Sequence, residues 1–134
     1  MSEVTLELQK ALVALLKSSG GGDLGVADRV YDKPPSPLTF PYIRLGDDQV
    51  IGDDDDCEEL SDVVTRIHVW SQKAGKVEAK QIAGAVRSRI RGATLTLTGF
   101  TVDNIEFVQT QYLDDPDGIS THAVIEVRFL ITHS

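Results

Sequence analysis

The chain has 134 residues, 41% of them hydrophobic and 25% charged, and a formal net charge of −8. That is room for one domain around one core, in a composition that folds rather than stays disordered. The acidity excludes long-range attraction to nucleic-acid phosphates as the basis of function, and a single cysteine, Cys57, excludes an intrachain disulfide.

Val4, Leu8, Leu12 and Leu15 recur at helical spacing, widened by Ala11 and Leu16, and predict a helix from Glu3 to Ser18. Ser2 or Thr5 is placed to cap its start, Glu7 lies in its first turn, and Gly20, Gly21 and Gly22 end it. Asp28 to Asp32 reads as a brief extended piece. Pro34, Pro35 and Pro37 then impose an irregular, stiff connection. Phe40 to Gly46 reads as a strand that can continue to Ile51, with Pro41 near its start, where a missing donor is tolerated. Gly52 to Ser61 is expected to be a loop dominated by carboxylates.

Asp62 to Ser71 alternates cleanly. Val63, Thr65, Ile67 and Val69 share one face, and Val64, Arg66, His68 and Trp70 the other. After a turn at 71–75, the run from Lys76 to Arg91 has helical period. Ala79, Ile82, Ala83, Val86 and Ile90 form its apolar stripe, Lys76, Lys80, Arg87, Arg89 and Arg91 its exposed surface, and Gly92 its stop. Leu95 and Leu97 alternate with threonines as a short strand, and Phe100 to Tyr112 makes a longer one. Its apolar positions change parity between Val102 and Ile105, which predicts a bulge near Asp103-Asn104. Leu113 to Gly118 is a turn. The last strand places Ile119, Thr121, Ala123, Ile125, Val127, Phe129 and Ile131 on one face. The order predicts a single α+β domain spanning 1–134, a mostly antiparallel sheet of four to five strands with two helices packed on one face. No internal repeat or linker divides it.

Catalytic and metal motifs are sparse. His68, His122 and His133 have no second histidine or cysteine at ligand spacing, so a sheet histidine held by hydrogen bonds is the better reading. No G-x-S-x-G is present, and no Gly-Lys-Ser or Gly-Lys-Thr follows Gly20–Gly22. Asp53, Asp54, Asp55 and Asp56, with Glu58 and Glu59, invite a calcium reading. Yet the run lacks the alternating ligands and central glycine of an EF-hand, which favours a solvated acidic loop. Cys57 sits among these carboxylates, which disfavour a thiolate, so it reads as structural or incidental. No cofactor is expected. No run approaches the roughly 20 apolar residues that cross a bilayer. Met1-Ser2-Glu3 is acidic where a secretory signal is basic. The expectation is a chain folded in a cytoplasm, with no membrane partner.

The cations of the second helix admit three readings: a nucleic-acid patch, a solvated face, or a subunit contact. In the last, the acidic loop of one copy meets the basic helix of the next, head to tail. Trp70 either packs under the second helix or, with Arg66 and His68 on its face, belongs to an interface.

The ordered motifs Val30-Tyr31-Asp32, the proline link, Phe40-Pro41-Tyr42-Ile43, Ile67-His68-Val69-Trp70-Ser71, Glu78-Ala79 and Asp114-Asp115-Pro116-Asp117-Gly118 span nearly the whole chain. In this order they resemble the tail completion or tail terminator proteins of long-tailed phages and gene transfer agents. The aspartate run before Cys57 is not part of that pattern. The resemblance implies a structural, non-enzymatic subunit that assembles as a hexameric ring, caps the head-proximal end of the tail tube and joins it to the head connector. DNA would pass through the hole without sequence-specific binding. It implies a virion tail or neck location, after assembly in the host cytoplasm. Candidates for the subunit interface or lumen are Asp53, Asp54, Asp55, Asp56, Glu58, Glu59, Arg66, Trp70, Lys80, Arg87, Arg89 and Arg91. The competing expectations are a neck adaptor or tail-tube subunit, and an acidic DNA mimic that binds a nucleic-acid enzyme.

Overall fold

The computed structural model describes residues 3–17, 24–52 and 60–133. Helix α1 is Val4–Lys17 and α2 is Val77–Arg91; the strands are β1 Val30–Tyr31, β2 Tyr42–Gly52, β3 Leu60–Ser71, β4 Phe100–Asp114 and β5 Thr121–His133. They form one sheet in the order β1-β2-β3-β5-β4, antiparallel throughout except where β1 runs parallel to β2. This is an α+β fold with both helices on one face of the sheet. Gly20–Gly22 and the acidic run 53–59, Cys57 included, lie outside the described residues.

Strands β3 and β4 run the same way and are joined through α2, yet they are not neighbours. The last strand, β5, lies between them and pairs with both. The unit is a split βαβ motif. Its centre is the most apolar part of the molecule, because β5 has neighbours on both edges and α2 above it. Ala123, Ile125, Val127, Phe129 and Ile131 are all fully buried, facing Val63, Ile67 and Val69 of β3. The whole predicted stripe of α2, Ala79, Ile82, Ala83, Val86 and Ile90, closes this core, and α1 adds Val4, Leu8, Leu12 and Leu16. Thr65, Ser71 and Thr121 are polar exceptions on that face, and Thr65 sits among the apolar rows. Its hydroxyl donates to the Asp48 carboxylate, which satisfies it under α1.

Several expectations are corrected. Glu3 caps α1, not Thr5: Leu6 N–H donates to Glu3 Oε1 at 3.1 Å, and the Thr5 hydroxyl donates to the same oxygen. The position that dives into the core at the end of α1 is Leu16, while Leu15 is half-buried. Gly52, Leu60 and Ser61, expected in a loop, are paired strand residues. Leu95 and Leu97 do not form a strand. Leu97 makes one isolated bridge to Phe100 and plugs the core. Only Thr98 and Gly99 separate those two, and Gly99 takes the left-handed φ of +85° that so short a reversal needs. The expected bulge in β4 lies between Val102 and Asn104, and a second one falls between Phe107 and Gln109. Leu113 and Asp114 belong to β4, not to the turn, and Ile119 lies before β5 and is exposed.

Candidate functional site

The face without helices is read from the strand register. Rows of side chains cross four strands: Tyr42, Trp70, His122 and Leu113; then Arg44, His68, Val124 and Gln111; then Gly46, Arg66, Glu126 and Gln109. The first row is a stack. Trp70 lies on His122 with ring centroids 3.8 Å apart at 10°, and on its other neighbour, Tyr42, at 6.5 Å and 19°. Phe40 meets Tyr42 edge-on at 5.2 Å. Trp70 therefore does not pack under α2; it is the centre of an aromatic row on the opposite face.

His68 of the second row meets His122 of the first; His68 is buried and His122 half-buried. His68 Nε2 is 2.9 Å from Asp47 Oδ2, and His68 Nδ1 is 2.7 Å from His122 Nε2. Asp47 can only accept as a carboxylate, so His68 carries its proton on Nε2, and His122 Nε2–H donates to His68 Nδ1. Asp47 reaches this position from the β2 bulge between Gly46 and Gln49, with φ at +62°, a left-handed conformation that aspartate tolerates. Burial lowers the pKa of both rings. His122 falls to about 4, through burial and then the neighbouring His68. For His68, burial outweighs the opposing pull of Asp47. The nitrogen that a catalytic histidine would aim at a hydroxyl or thiol is already engaged by His122, so this is not a nucleophile-activating arrangement. Among the described residues no group of three histidine, cysteine, aspartate or glutamate side chains is arranged to hold a metal ion.

Further along the face the charges pair off. Arg66 Nε lies 3.7 Å from Glu126 Oε1, which also accepts from Gln109 Nε2 at 3.0 Å. Arg128 grips Asp62 with two nitrogens. Arg66 is thus part of a cross-strand network, with its cation balanced inside the molecule.

On the other side of the sheet, α2 presents a ladder of cations to β4. Lys76 Nζ bonds Asp114 at 2.8 Å. Lys80 lies over the Tyr112 ring at 5.4 Å, and Arg91 over Phe107 at 4.7 Å. Arg87 donates to Thr110 Oγ1 at 3.1 Å and to the Tyr112 hydroxyl at 3.4 Å. The spacing 76, 80, 87, 91 is one helix stripe, and the missing rung is Gly84, where a Cβ would sit 3.9 Å from the Arg87 guanidinium. Arg89 points elsewhere, donating to Leu15 O at the end of α1. The structure thus gathers Lys80, Arg87 and Arg91 along one margin, leaves Arg89 near α1, and puts Arg66 and Trp70 on the opposite face. Asp53 to Asp56, Glu58 and Glu59 lie outside the described residues.

Strand β4 itself is an edge, paired only with β5, and none of its fifteen residues is fully buried. Phe100, Val102, Ile105, Phe107 and Tyr112 are half-buried against the core, and the Lys80 and Arg91 cations lie over two of these rings.

The family described as Tail completion protein gp17 matches residues 10–132 of the chain. The chain belongs to that family. A curated relative, the tail completion protein gp17 of Bacillus phage SPP1, is 28% identical over 127 residues, which is 95% of this chain and 93% of the relative. Among solved structures, a chain from the virion of a native gene transfer agent particle superposes with a TM-score of 0.86 at 25% identity, covering 98% of this chain and 99% of that one. The structure of bacteriophage SPP1 gp17 gives a TM-score of 0.62 at 26% identity, over 94% of this chain and 89% of that one. Sequence motifs do not reveal the role of Asp47 or the pairing of His68 with His122. Each histidine sits on a predicted outer face, but their meeting depends on the β3–β5 register, which the sequence does not display.

Proposed function

We propose that this tail completion protein is a structural, non-enzymatic subunit of a phage or gene transfer agent tail. It closes into a ring, a hexamer, that caps the tail tube, stops its growth and joins it to the head connector. It assembles in the host cytoplasm and ends in the tail or neck of the particle. The observation that carries this reading is the end-to-end likeness to a chain of an assembled gene transfer agent virion. The organisation of the surface supports it. Among the described residues Asp47, His68 and His122 are engaged with one another, whereas two opposite sheet margins are open to neighbours. A ring needs that asymmetry, because a head-to-tail contact joins two different patches of the same subunit.

The net charge of −8 fits a hole through which DNA passes without sequence-specific binding. In this reading Asp53 to Glu59 face the lumen or the adjoining tube ring. Light scattering on purified protein, with negative-stain imaging, tests the ring. Closed rings of one size that bind tail tubes or connectors are the expected outcome. Open-ended tubes formed by this chain alone would make it a tube subunit instead. A protein that stays monomeric at high concentration and joins neither tails nor connectors would refute the proposal.

A further inference from the structure

We propose that neighbouring copies of this chain join by strand addition: the open edge of β4 over Gln109–Asp114 receives the outer half of β2, from Asp47 to Ile51, of the next copy. The inference rests on the ring reading and assigns its contact surfaces. Three observations carry it.

The first is that, among the described residues, both margins lack a strand partner. β4 ends the sheet on one side. On the other side β1 covers only Ile43 and Arg44 of β2, so from Leu45 to Gly52 the edge away from β3 has nothing among the described residues laddered against it. Unpaired strand edges are templates for another strand. In the first half of β4 two bulges interrupt the edge, and residues 93–95 border a pocket beside Val102–Ile105. From Gln109 to Asp114 the register is regular, which singles out this stretch.

The second is apolar surface that the subunit does not cover. Val108 and Leu113 on β4 are 45% and 44% exposed, and Val50 and Ile51 on β2 are 45% and 49% exposed. Bringing the two margins together buries all four.

The third is charge. Lys76, Lys80, Arg87 and Arg91 line the helix side of β4, where Lys76 is already paired with Asp114, while the outer half of β2 carries Asp48 on the helix side, Asp47 on the other face and no cation. A β4–β4 or β2–β2 contact would oppose like charges, whereas β4 against β2 pairs them. The contact is therefore heterologous and propagates in one direction until the ring closes.

Disulfide cross-linking tests the pairing. In a C57S background, Q109C or Q111C on β4 is combined with Q49C or I51C on β2. All four positions are exposed and on the helix-free face, and adjacent strands bring Cα atoms within disulfide reach. Mixtures of a β4 variant with a β2 variant are expected to cross-link under oxidation, and neither variant alone. A chain carrying both cysteines should give a ladder of linked species ending at the ring size. The double charge reversal K80E/R91E should cut the yield more than tenfold at low salt, with the circular dichroism spectrum unchanged. Rings that persist by light scattering while no mixture cross-links would overturn the strand pairing and leave the ring reading intact. Cross-linking of a β4 variant with itself would also overturn it, in favour of a symmetric edge. Absence of any oligomer would remove both.

Discussion

Strands β5 and β4 are adjacent, similar in length and similarly patterned, yet their fates differ. Every second residue of β5 from Ala123 to Ile131 is fully buried, while β4 buries none of its residues completely. The alternation of apolar residues fixes which face a side chain takes, but not what lies above it. Over β5 the cover is the alanine, isoleucine and valine stripe of α2. Over β4 lies the lysine and arginine stripe of the same helix, whose cationic heads sit over the rings of Tyr112 and Phe107. One strand is finished on both edges by its own chain, and the other keeps an edge that no described residue pairs with.

The sharpest way to break this contrast is to truncate one aromatic in each strand. Phe129→Ala should cost about 3–5 kcal/mol, the range for deleting a fully enclosed ring. Phe107→Ala should cost less than about 2 kcal/mol in the isolated subunit, since its site is half open and collapses or hydrates. Urea unfolding of both variants measures the difference, and equal losses would show that β4 is as enclosed as β5.

The helix-free face gives the next effect. The unfolded chain takes up protons on His68 and His122 near the ordinary histidine value of 6.5, whereas the folded chain resists them, with His122 lowered to about 4. The unfolded state therefore binds more protons between these values, and stability falls as pH drops through that window. The loss should be on the order of 1–2 kcal/mol, discounted for the partial exposure of His122. Comparing urea midpoints at neutral pH and near pH 4.5 reads it, and His122→Phe should flatten the slope while keeping a ring against Trp70. A slope unchanged by that variant would exclude His122 as its source. The smallest effect belongs to the cation ladder. Arg91→Ala should cost about 0.5–1 kcal/mol of subunit stability through lost contact with Phe107, while weakening assembly more. Light scattering at low salt separates the two.

Much of this was legible in the sequence. The stripe of α2, the two faces of β3, the inward set of β5 and the first β4 bulge follow from local periodicity, which is a property of neighbouring residues. The α1 cap was misassigned because a glutamate carboxylate took the role that hydroxyl side chains usually fill. The short strand at Leu95–Leu97 is absent for a tertiary reason: Leu97 turns into the core and makes only one bridge to Phe100. The His68–His122–Asp47 chain and the engagement of Arg87 with Thr110 were hidden because they depend on register and on which strand fills the middle of the sheet. No local pattern encodes that choice.

That middle strand also orders the events of synthesis. Four strands and both helices leave the ribosome before Thr121 does, yet β3 and β4 touch only through the strand that follows them. Until it inserts, the nascent chain has two facing gaps and no continuous sheet. A transcript cut short before this segment would yield a product unable to close its centre, and so unfit to take a place in any larger assembly.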